Sequence, residues 1–402
     1  MSDFKNFIPI AKPWMDDRES DAVARVIATG WITQGPEVAS FEKEFADFVG
    51  APHACAVSSC TTALHLALLA VGIKPGDEVI TVSHSFIATA NSIRYCGASP
   101  VFVDIEPDTF NLNPSLIETL INDKTKAILC VHQMGMPCNL EPIIGIARRH
   151  NLVVIEDAAC AIGSEISWHG KWGKIGKPHG DIACFSFHPR KLLSTGDGGM
   201  LTTANDEWDH QFRLWRQHGM SVPDTIRHGA KEVILESYPC VGYNYRMTDV
   251  QAAMGREQLK RLPEIVARRR AMVKRYRMLL GEEIPGIGLP LEPKWARSNW
   301  QSLCVRLPER VNQITVMQKM LDIGIATRRG VMCAHREDSY RHGTWSCGKG
   351  PGPCECEPKR CARLVESERA QDRCIILPLY HQMTEADQLI VVMTLKQSCV
   401  HI

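Results

Sequence analysis

Short apolar runs alternate with helical patterns over residues 37–203, and this alternation limits the possible folds more than any other feature of the sequence. The runs are apolar on both faces, which is typical of strands in a mostly parallel sheet that helices cover on both sides. The sequence therefore predicts an α/β fold built on one such sheet. The predicted strands are residues 54–57, 79–82, 100–104, 126–131, 152–156, 181–187 and 199–203.

The pattern changes after residue 246. Residues 247–283 form one long helical stretch, which we expect Pro263 to kink or divide. We expect a large α/β domain with an N-terminal arm over residues 1–260, and a smaller α+β domain over residues 261–402. The smaller domain is predicted from two strand patterns, QSLCVRL and CIILPL, and two helical patterns, VNQITVMQKMLDIG and TEADQLIVVMTLK.

Composition excludes several classes of protein. The formal net charge is +1, from 46 basic and 45 acidic residues, so no overall field attracts nucleic acid or an anionic membrane. No apolar stretch is long enough to span a membrane, and residues 1–17 lack the pattern of a secretion signal. Most of the 16 cysteines lie in apolar runs, where cysteine behaves as a small buried side chain. We therefore expect a cytoplasmic chain with reduced thiols, and neither nucleic acid nor a membrane as partner.

One basic run leaves an alternative open. Residues 268–270 are three consecutive arginines, and Lys274, Arg275 and Arg277 follow on the same predicted helix. Such a run could form a nucleic-acid-binding face, although an ordinary solvated helix face explains it as well.

Polar segments follow three of the predicted strands. Residues 58–62, SSCTT, open an apolar helix after the first strand, and Asp157 follows the strand 152–156. Ser186, His188 and Lys191 come at the end of the strand 181–187. Because ligands bind beyond the carboxyl ends of parallel strands, one site can collect all three segments.

The three segments match the needs of pyridoxal phosphate. Lys191 would form the imine with the cofactor aldehyde, and we expect burial beside a cationic ring to lower the pKa of its amine. Asp157 would keep the pyridine nitrogen protonated, and the helix start at residues 58–62 would bind the phosphate. Each segment also has a simpler explanation: a surface lysine, a helix N-cap and an ordinary capping sequence.

Almost the whole chain resembles the DegT/DnrJ/StrS family of sugar aminotransferases. The matching segments include SCTTALHLALLA, GASPVFVDIEPDTFNLNP, VVIEDAACAIGS, FSFHPRKLLSTGDGGML and GYNYRMTDVQAA. The resemblance implies the fold type I architecture of aspartate aminotransferase, pyridoxal phosphate as cofactor and a homodimer with shared active sites. Some relatives replace the lysine by histidine and dehydrate sugars, so Lys191 favours transamination here.

The resemblance also assigns site residues. Lys191 and Asp157 match the imine lysine and the partner of the pyridine nitrogen. Cys160 stands where relatives often carry glutamine or histidine to bond the cofactor's phenolic oxygen, and a thiol is a weak substitute. Phe86 matches the ring that stacks on the cofactor, with His84 as a possible substitute. The expected phosphate contacts are Cys60, Thr61, Ser186 and, from the other subunit, Asn244; the expected substrate contacts are Trp31, Thr33, Gln34, His188 and Arg246.

The resemblance implies that the amino group moves from L-glutamate to a nucleotide-linked keto-deoxy sugar, with pyridoxamine phosphate as the intermediate. Two alternatives stay open. One is an aminotransferase that acts on a cyclitol ketone or forms an aminohydroxybenzoate. The other is a regulator that binds pyridoxal phosphate without catalysis, although the sequence contains neither an added DNA-binding motif nor a damaged lysine site.

A cysteine-rich segment departs from the family pattern. Residues 347–361, CGKGPGPCECEPKRC, look like an insertion in the smaller domain. Cys347, Cys354, Cys356 and Cys361 could bind zinc, but their spacing lacks the paired C-x2-C arrangement of common zinc sites. The simpler interpretation is a Gly/Pro-rich loop, and we expect no metal.

Overall fold

The computed structural model describes residues 7–222, 226–227, 230–340, 345–348 and 360–400. The strands are β1 His53–Val57, β2 Glu78–Val82, β3 Ser99–Val103, β4 Thr125–Val131, β5 Val153–Asp157, β6 Glu165–Trp168, β7 Lys171–Lys174, β8 Ile182–Ser186, β9 Gly199–Thr203, β10 Ala296–Arg297, β11 Leu303–Arg306, β12 Arg328–Arg329 and β13 Cys374–Leu377. The α-helices are α1 Asp17–Thr29, α2 Pro36–Val49, α3 Cys60–Ala70, α4 Ala88–Tyr95, α5 Leu140–Arg149, α6 Asp206–Trp215, α7 Asp249–Glu283, α8 Gln313–Asp322, α9 Val365–Arg373 and α10 Glu385–Val400.

A seven-stranded sheet has the order β1-β9-β8-β5-β4-β2-β3. Its strands are parallel except for β9, which runs antiparallel to β1 and β8. All seven predicted strands lie within one residue of these bounds, so the mostly parallel α/β sheet is confirmed. The sequence patterns missed the hairpin of β6 and β7, which forms a small antiparallel sheet with β10.

Two apolar cores cover the two faces of the sheet. In β4, Ala127 and Leu129 pack into the core beside α3, whereas Ile128 and Cys130 pack into the core that contains α2 and α5. Successive side chains of a strand point to opposite faces, so a strand buried on both faces must be apolar throughout. This explains the uninterrupted apolar runs in the sequence.

Helix α7 links the sheet to the C-terminal part of the chain. It begins with a capping box, in which Thr248 and Gln251 each accept a hydrogen bond from the backbone N–H of the other. It then runs unbroken to Glu283 with Pro263 inside, so the proline does not divide the stretch, and the alternative that it kinks the helix stays a prediction. The domain boundary predicted at residue 260 falls within α7, and the division into two domains stays a prediction.

A separate apolar core supports the idea of a smaller unit. It contains Met272, Val273, Tyr276 and Leu280 of α7, with side chains from β11, β13, α8 and α10. The three strands β11, β13 and β12 form an antiparallel sheet in that order. The strand and helix patterns predicted for the end of the chain are confirmed as β11, α8, β13 and α10.

The arginine run of α7 is used in internal contacts. Arg269 is buried and donates to the carbonyl oxygens of Trp300 (3.0 Å), Gln301 (3.1 Å) and Leu379 (3.0 Å). Arg270 donates to the carbonyl of Ser298 at 2.9 Å. Arg275 forms an ion pair with Glu385, and Arg277 donates to the carbonyl of Pro290. These contacts tie α7 to the smaller core and account for the run without a nucleic-acid partner.

None of the helices in the described part of the chain is both long enough and apolar enough to cross a membrane.

We predict that Arg269→Met lowers the free energy of unfolding by about 3 kcal/mol, because three buried carbonyl groups lose their donor. Thermal and denaturant unfolding of the full chain would measure the change. Arg268→Met is the matched control, since Arg268 is exposed and makes only a 3.4 Å contact with the carbonyl of Met383. Equal effects of the two substitutions would contradict the prediction.

Candidate active site

A cavity of about 500 Å³ lies beyond the carboxyl ends of the parallel strands. The segments that follow β1, β2, β4, β5 and β8 all contribute to its wall. Strand ends therefore meet at one edge of the sheet, as the sequence predicted. Eight of the predicted site residues line this cavity: Cys60, Thr61, Phe86, Asp157, Cys160, Ser186, His188 and Lys191.

Five other predicted residues lie outside the cavity of the single chain. Trp31, Thr33 and Gln34 belong to the turn before α2, where the Trp31 indole donates to the carbonyl of Gln34 at 3.1 Å. Asn244 and Arg246 belong to the segment before α7, and Asn244 is exposed. Their predicted roles therefore stay predictions.

Asp157 ends β5 and is buried at the cavity wall. Its carboxylate accepts hydrogen bonds from the Thr89 hydroxyl at 2.7 Å and from the backbone N–H of Ala159 at 3.1 Å. Burial raises the pKa of Asp157 above its usual value, although these two hydrogen bonds oppose the shift. A cation against this carboxylate would reverse the shift and relieve the cost of burying a charge. The element that follows Asp157 is strand β6 and not an α-helix, so Asp157 is not a helix N-cap.

The start of α3 forms another part of the wall. Ser59 caps the helix by accepting from the backbone N–H of Thr62 at 3.2 Å. The N–H groups of Cys60 and Thr61 have no acceptor within the helix, and both residues line the cavity. They are therefore positioned as donors to an anion, aided by the helix dipole.

Gly199 allows the first turn of α3 to pack closely against β9. Gly199 pairs with Ser186 across β8 and β9 and lies against the first turn of α3. A Cβ atom at this position would come within 2.5 Å of the Ser59 carbonyl carbon. Only glycine therefore lets β9 pass so close to the helix start.

Lys191 lies in the loop between β8 and β9. Its Nζ donates to the Sγ of Cys160 at 3.0 Å. Burial lowers the pKa of the lysine, but the contact with Cys160 and the nearby Cys60 and Asp157 outweigh burial, so the pKa is raised. The sequence analysis expected a lowered pKa for Lys191 because it assumed a cationic cofactor ring beside the amine. The side chains of the protein by themselves raise this pKa instead.

Two side chains from the segment before β11 hold the loops of the site. The Gln301 side chain accepts from the backbone N–H of Leu192 at 3.1 Å and donates to the carbonyl of Arg190 at 2.6 Å. Asn299 donates to the carbonyls of Cys160 at 2.9 Å and Ile162 at 2.8 Å. Hydrogen bonds from one short segment, residues 299–301, therefore hold the loops that carry Lys191 and Cys160.

Sequence reasoning missed this support. Thr89, Asn299 and Gln301 act over separations of 68 to 139 residues, and no local pattern indicates such contacts. It also missed Arg190 and Arg328, two exposed arginines that line the cavity. Arg190 lies three residues after the end of the predicted strand 181–187, so its position offered a signal. Arg328 comes from β12, which was not predicted.

The donor set fits pyridoxal phosphate. A buried carboxylate, a helix start with free N–H groups and a lysine amine share one cavity, and each corresponds to one functional group of the cofactor. Phe86 is 66% exposed although its ring is apolar, which leaves it open to stack on a planar ligand.

The described ends of the cysteine-rich segment, residues 347–348 and 360–361, do not line this cavity. Cys347 and Cys361 are buried in a small apolar cluster with Phe102 and Tyr340. Cys354 and Cys356 fall outside the described residues, and within the described ranges no group of His, Cys, Asp or Glu is arranged to hold a metal ion. The zinc hypothesis therefore stays untested.

Known proteins resemble this chain over most of its length. Residues 13–396 match the model of the DegT/DnrJ/EryC1/StrS aminotransferase family. GDP-perosamine synthase from Caulobacter vibrioides is 42% identical over 345 residues, which cover 85% of this chain and 89% of that protein. The spore coat polysaccharide biosynthesis protein SpsC from Bacillus subtilis is 40% identical over 325 residues, or 79% of this chain and 82% of SpsC. The crystal structure of DesV from S. venezuelae in complex with a ketimine intermediate has a TM-score of 0.84 and 30% identity, and the match covers 99% of this chain and 100% of DesV.

Proposed function

The chain belongs to the DegT/DnrJ/EryC1/StrS aminotransferase family, and on this premise we propose that it moves an amino group from L-glutamate to a nucleotide-linked keto-deoxy sugar. It is a pyridoxal-phosphate-dependent aminotransferase of fold type I. The proposal concerns the donor, the acceptor and the residues that serve them. The observation that carries it is the single cavity that joins Lys191, Asp157 and the start of α3.

Pyridoxal phosphate supplies an electrophilic carbon and a ring that stabilises negative charge on the neighbouring carbon of a bound amine. Asp157 would hold the ring nitrogen protonated, and its buried carboxylate gains a cationic partner in return. The N–H groups of Cys60 and Thr61, with the Ser186 hydroxyl, would bind the phosphate. Lys191 would carry the cofactor between turnovers and move a proton at the reacting carbon once the substrate has displaced it.

Two arginines support a nucleotide-linked acceptor. Arg190 and Arg328 both line the cavity, one next to Lys191 in sequence and one on β12. Within the described residues neither guanidinium has a carboxylate partner, so both are available to an anionic ligand. Guanidinium groups bind phosphate groups through paired hydrogen bonds, so a diphosphate is a suitable ligand for two arginines. The name of GDP-perosamine synthase makes a GDP-linked sugar the first acceptor to test.

The exposed segment before α7 supports the homodimer. Val233, Leu235 and Val241 are 87–91% exposed, which is unusual for apolar side chains so close in sequence. Asn244 follows, exposed between Tyr243 and Tyr245, and the carbonyl of Tyr245 accepts from the backbone N–H of Ser58 at 2.8 Å. We propose that a second copy of the chain covers this segment, with Asn244 reaching the partner's phosphate site.

We also propose that the protein works in the cytoplasm. Cys55, Cys130, Cys184 and Cys304 are buried free thiols, as expected in a reducing compartment.

We predict that L-glutamate alone completes half of the reaction. Protein loaded with pyridoxal phosphate should show the visible absorption band of the lysine-bound cofactor, and L-glutamate should replace it with the near-ultraviolet band of pyridoxamine phosphate. Lys191→Ala should lack the first band, and D-glutamate should leave it unchanged in wild type. A visible band that persists in Lys191→Ala would contradict the assignment of the lysine. A wild-type band that L-glutamate does not change would contradict the donor.

The reverse half-reaction tests the acceptor. GDP-perosamine should donate its amino group to the pyridoxal phosphate form, and it should be preferred over the same sugar without the nucleotide. We expect Arg328→Ala to reduce this preference about tenfold, because one charge-assisted contact with the diphosphate is lost. The measurement is the loss of the visible band as a function of sugar concentration. An unchanged preference would contradict the role of Arg328, and no reaction with GDP-, UDP- or dTDP-linked amino sugars would contradict the acceptor.

The dimer is tested by sedimentation. Wild type should have the mass of two chains, and Leu235→Asp with Val241→Asp should shift it towards one chain, because two charges then enter an apolar interface. Ile314→Asp is the matched control, since Ile314 is 75% exposed but lies on α8. A wild type that sediments as a single chain, or a double variant with the wild-type mass, would contradict the proposal.

A further inference from the structure

The amine of Lys191 lies against a thiol and not against a carboxylate. Its Nζ is 3.0 Å from the Sγ of Cys160, and among the described residues no carboxylate comes within ion-pair distance. A buried ammonium group without a counter-charge is costly, so its neighbour matters. A thiol can remove this cost because, unlike a hydroxyl or an amide, it becomes an anion within the pH range of enzymes.

The other titratable groups around the amine have partners of their own. The Cys60 thiol donates to the carbonyl of Cys184 at 3.6 Å, and burial raises its pKa far above the usual value, so it stays a thiol. Asp157 is held by Thr89 and Ala159.

Two further groups lie on the loop that carries the lysine. The Nδ1 of His188 accepts from the backbone N–H of Arg190 at 3.2 Å, and burial lowers the pKa of this histidine. Asp197 lines the same cavity but forms no ion pair with the lysine. Cys160 is therefore the one group, within the described ranges, that is in hydrogen-bonding contact with the amine.

We propose that Cys160 is the proton partner of Lys191: whenever the lysine is not bonded to the cofactor, the two side chains share one proton across the Nζ–Sγ contact. The proton leaves Sγ and binds Nζ, so thiol and amine become thiolate and ammonium, and no electrons are exchanged. The loop of Cys160 is fastened by Asn299 and the loop of Lys191 by Gln301, so the contact is held from both sides.

The pair suits the work of a released lysine. The amine must be neutral to accept a proton from the substrate carbon and protonated to return it. A thiolate beside it stabilises the protonated form, and a thiol beside it permits the neutral form. The inference rests on the proposed function in one respect only, which is that Lys191 is the lysine that carries the cofactor.

The test measures the reactivity of the Cys160 thiol. Iodoacetamide reacts with thiolate, so the alkylation rate of Cys160 as a function of pH reports its protonation. Trypsin releases residues 150–171 as a peptide in which Cys160 is the only cysteine, and residues 232–246 likewise contain only Cys240, which is half-buried and serves as the reference. The chain is loaded with pyridoxamine phosphate, which leaves Lys191 unbonded. Lys191→Met is the matched variant because it fills similar space without an amine.

We expect Cys160 of wild type to react at least about tenfold faster at pH 7 than Cys160 of Lys191→Met, with a midpoint lower by one pH unit or more. Coincident midpoints would overturn the inference. So would an unreactive Cys160 in wild type while Cys240 reacts, because a thiolate on the cavity wall is open to so small a reagent. A wider cavity in the variant would speed its alkylation, which is opposite to the expected effect.

A second loading separates this inference from the proposed function. In protein loaded with pyridoxal phosphate the amine is bonded to the cofactor, so the midpoint of Cys160 should rise towards that of Lys191→Met. If the two loadings give the same midpoint but Lys191→Met still differs, the thiol pair stands and the assignment of the cofactor lysine fails. No amino donor or sugar enters the experiment, so an error in the proposed substrates leaves the result unaffected.

Discussion

The arrangement of the site depends on the buried guanidinium of Arg269. It binds the carbonyls of Trp300, Gln301 and Leu379, and so holds the segment before β11 between α7 and the end of β13. Burial lowers the pKa of Arg269 to about 10, yet the group stays charged at neutral pH. Its Nη1 and Nη2 groups donate to the three carbonyls and so offset part of the cost of burying the charge, while its Nε has no hydrogen-bond partner among the described residues. These hydrogen bonds fix the position of the segment before β11 relative to α7 and β13.

The segment before β11 links the smaller core to the loops of the cofactor cavity. Gln301 holds the loop of Lys191, and Asn299 holds the loop of Cys160. Catalysis depends on sub-ångström placement of the reacting amine. Gln301 lines the same cavity and holds this loop although it is 109 positions from Leu192 in sequence. Arg328 of β12 also lines this cavity, so the C-terminal part of the chain contributes to its wall as well.

The predicted site residues divide by how they are positioned. Asp157, Ser186 and the start of α3 were predictable because each lies at or just beyond the carboxyl end of a strand, and the carboxyl ends of parallel strands share one edge of the sheet. Asn244 and Trp31 do not line the cavity of the single chain. Sequence spacing carries information on the first group and very little on the second, since neither Asn244 nor Trp31 follows a strand of the sheet.

By itself the sequence determined the mostly parallel sheet, the helices that cover it and the strand ends that carry Lys191, Asp157 and the start of α3. These follow from local periodicity, because a strand buried on both faces must be apolar and a helix start must be capped. Only the tertiary structure decided that Cys160 is the partner of the Lys191 amine, that Gln301 and Asn299 hold both loops, and that Arg328 completes the cavity wall. Such contacts join residues far apart in sequence, and their energies depend on burial and distance, which no local pattern encodes.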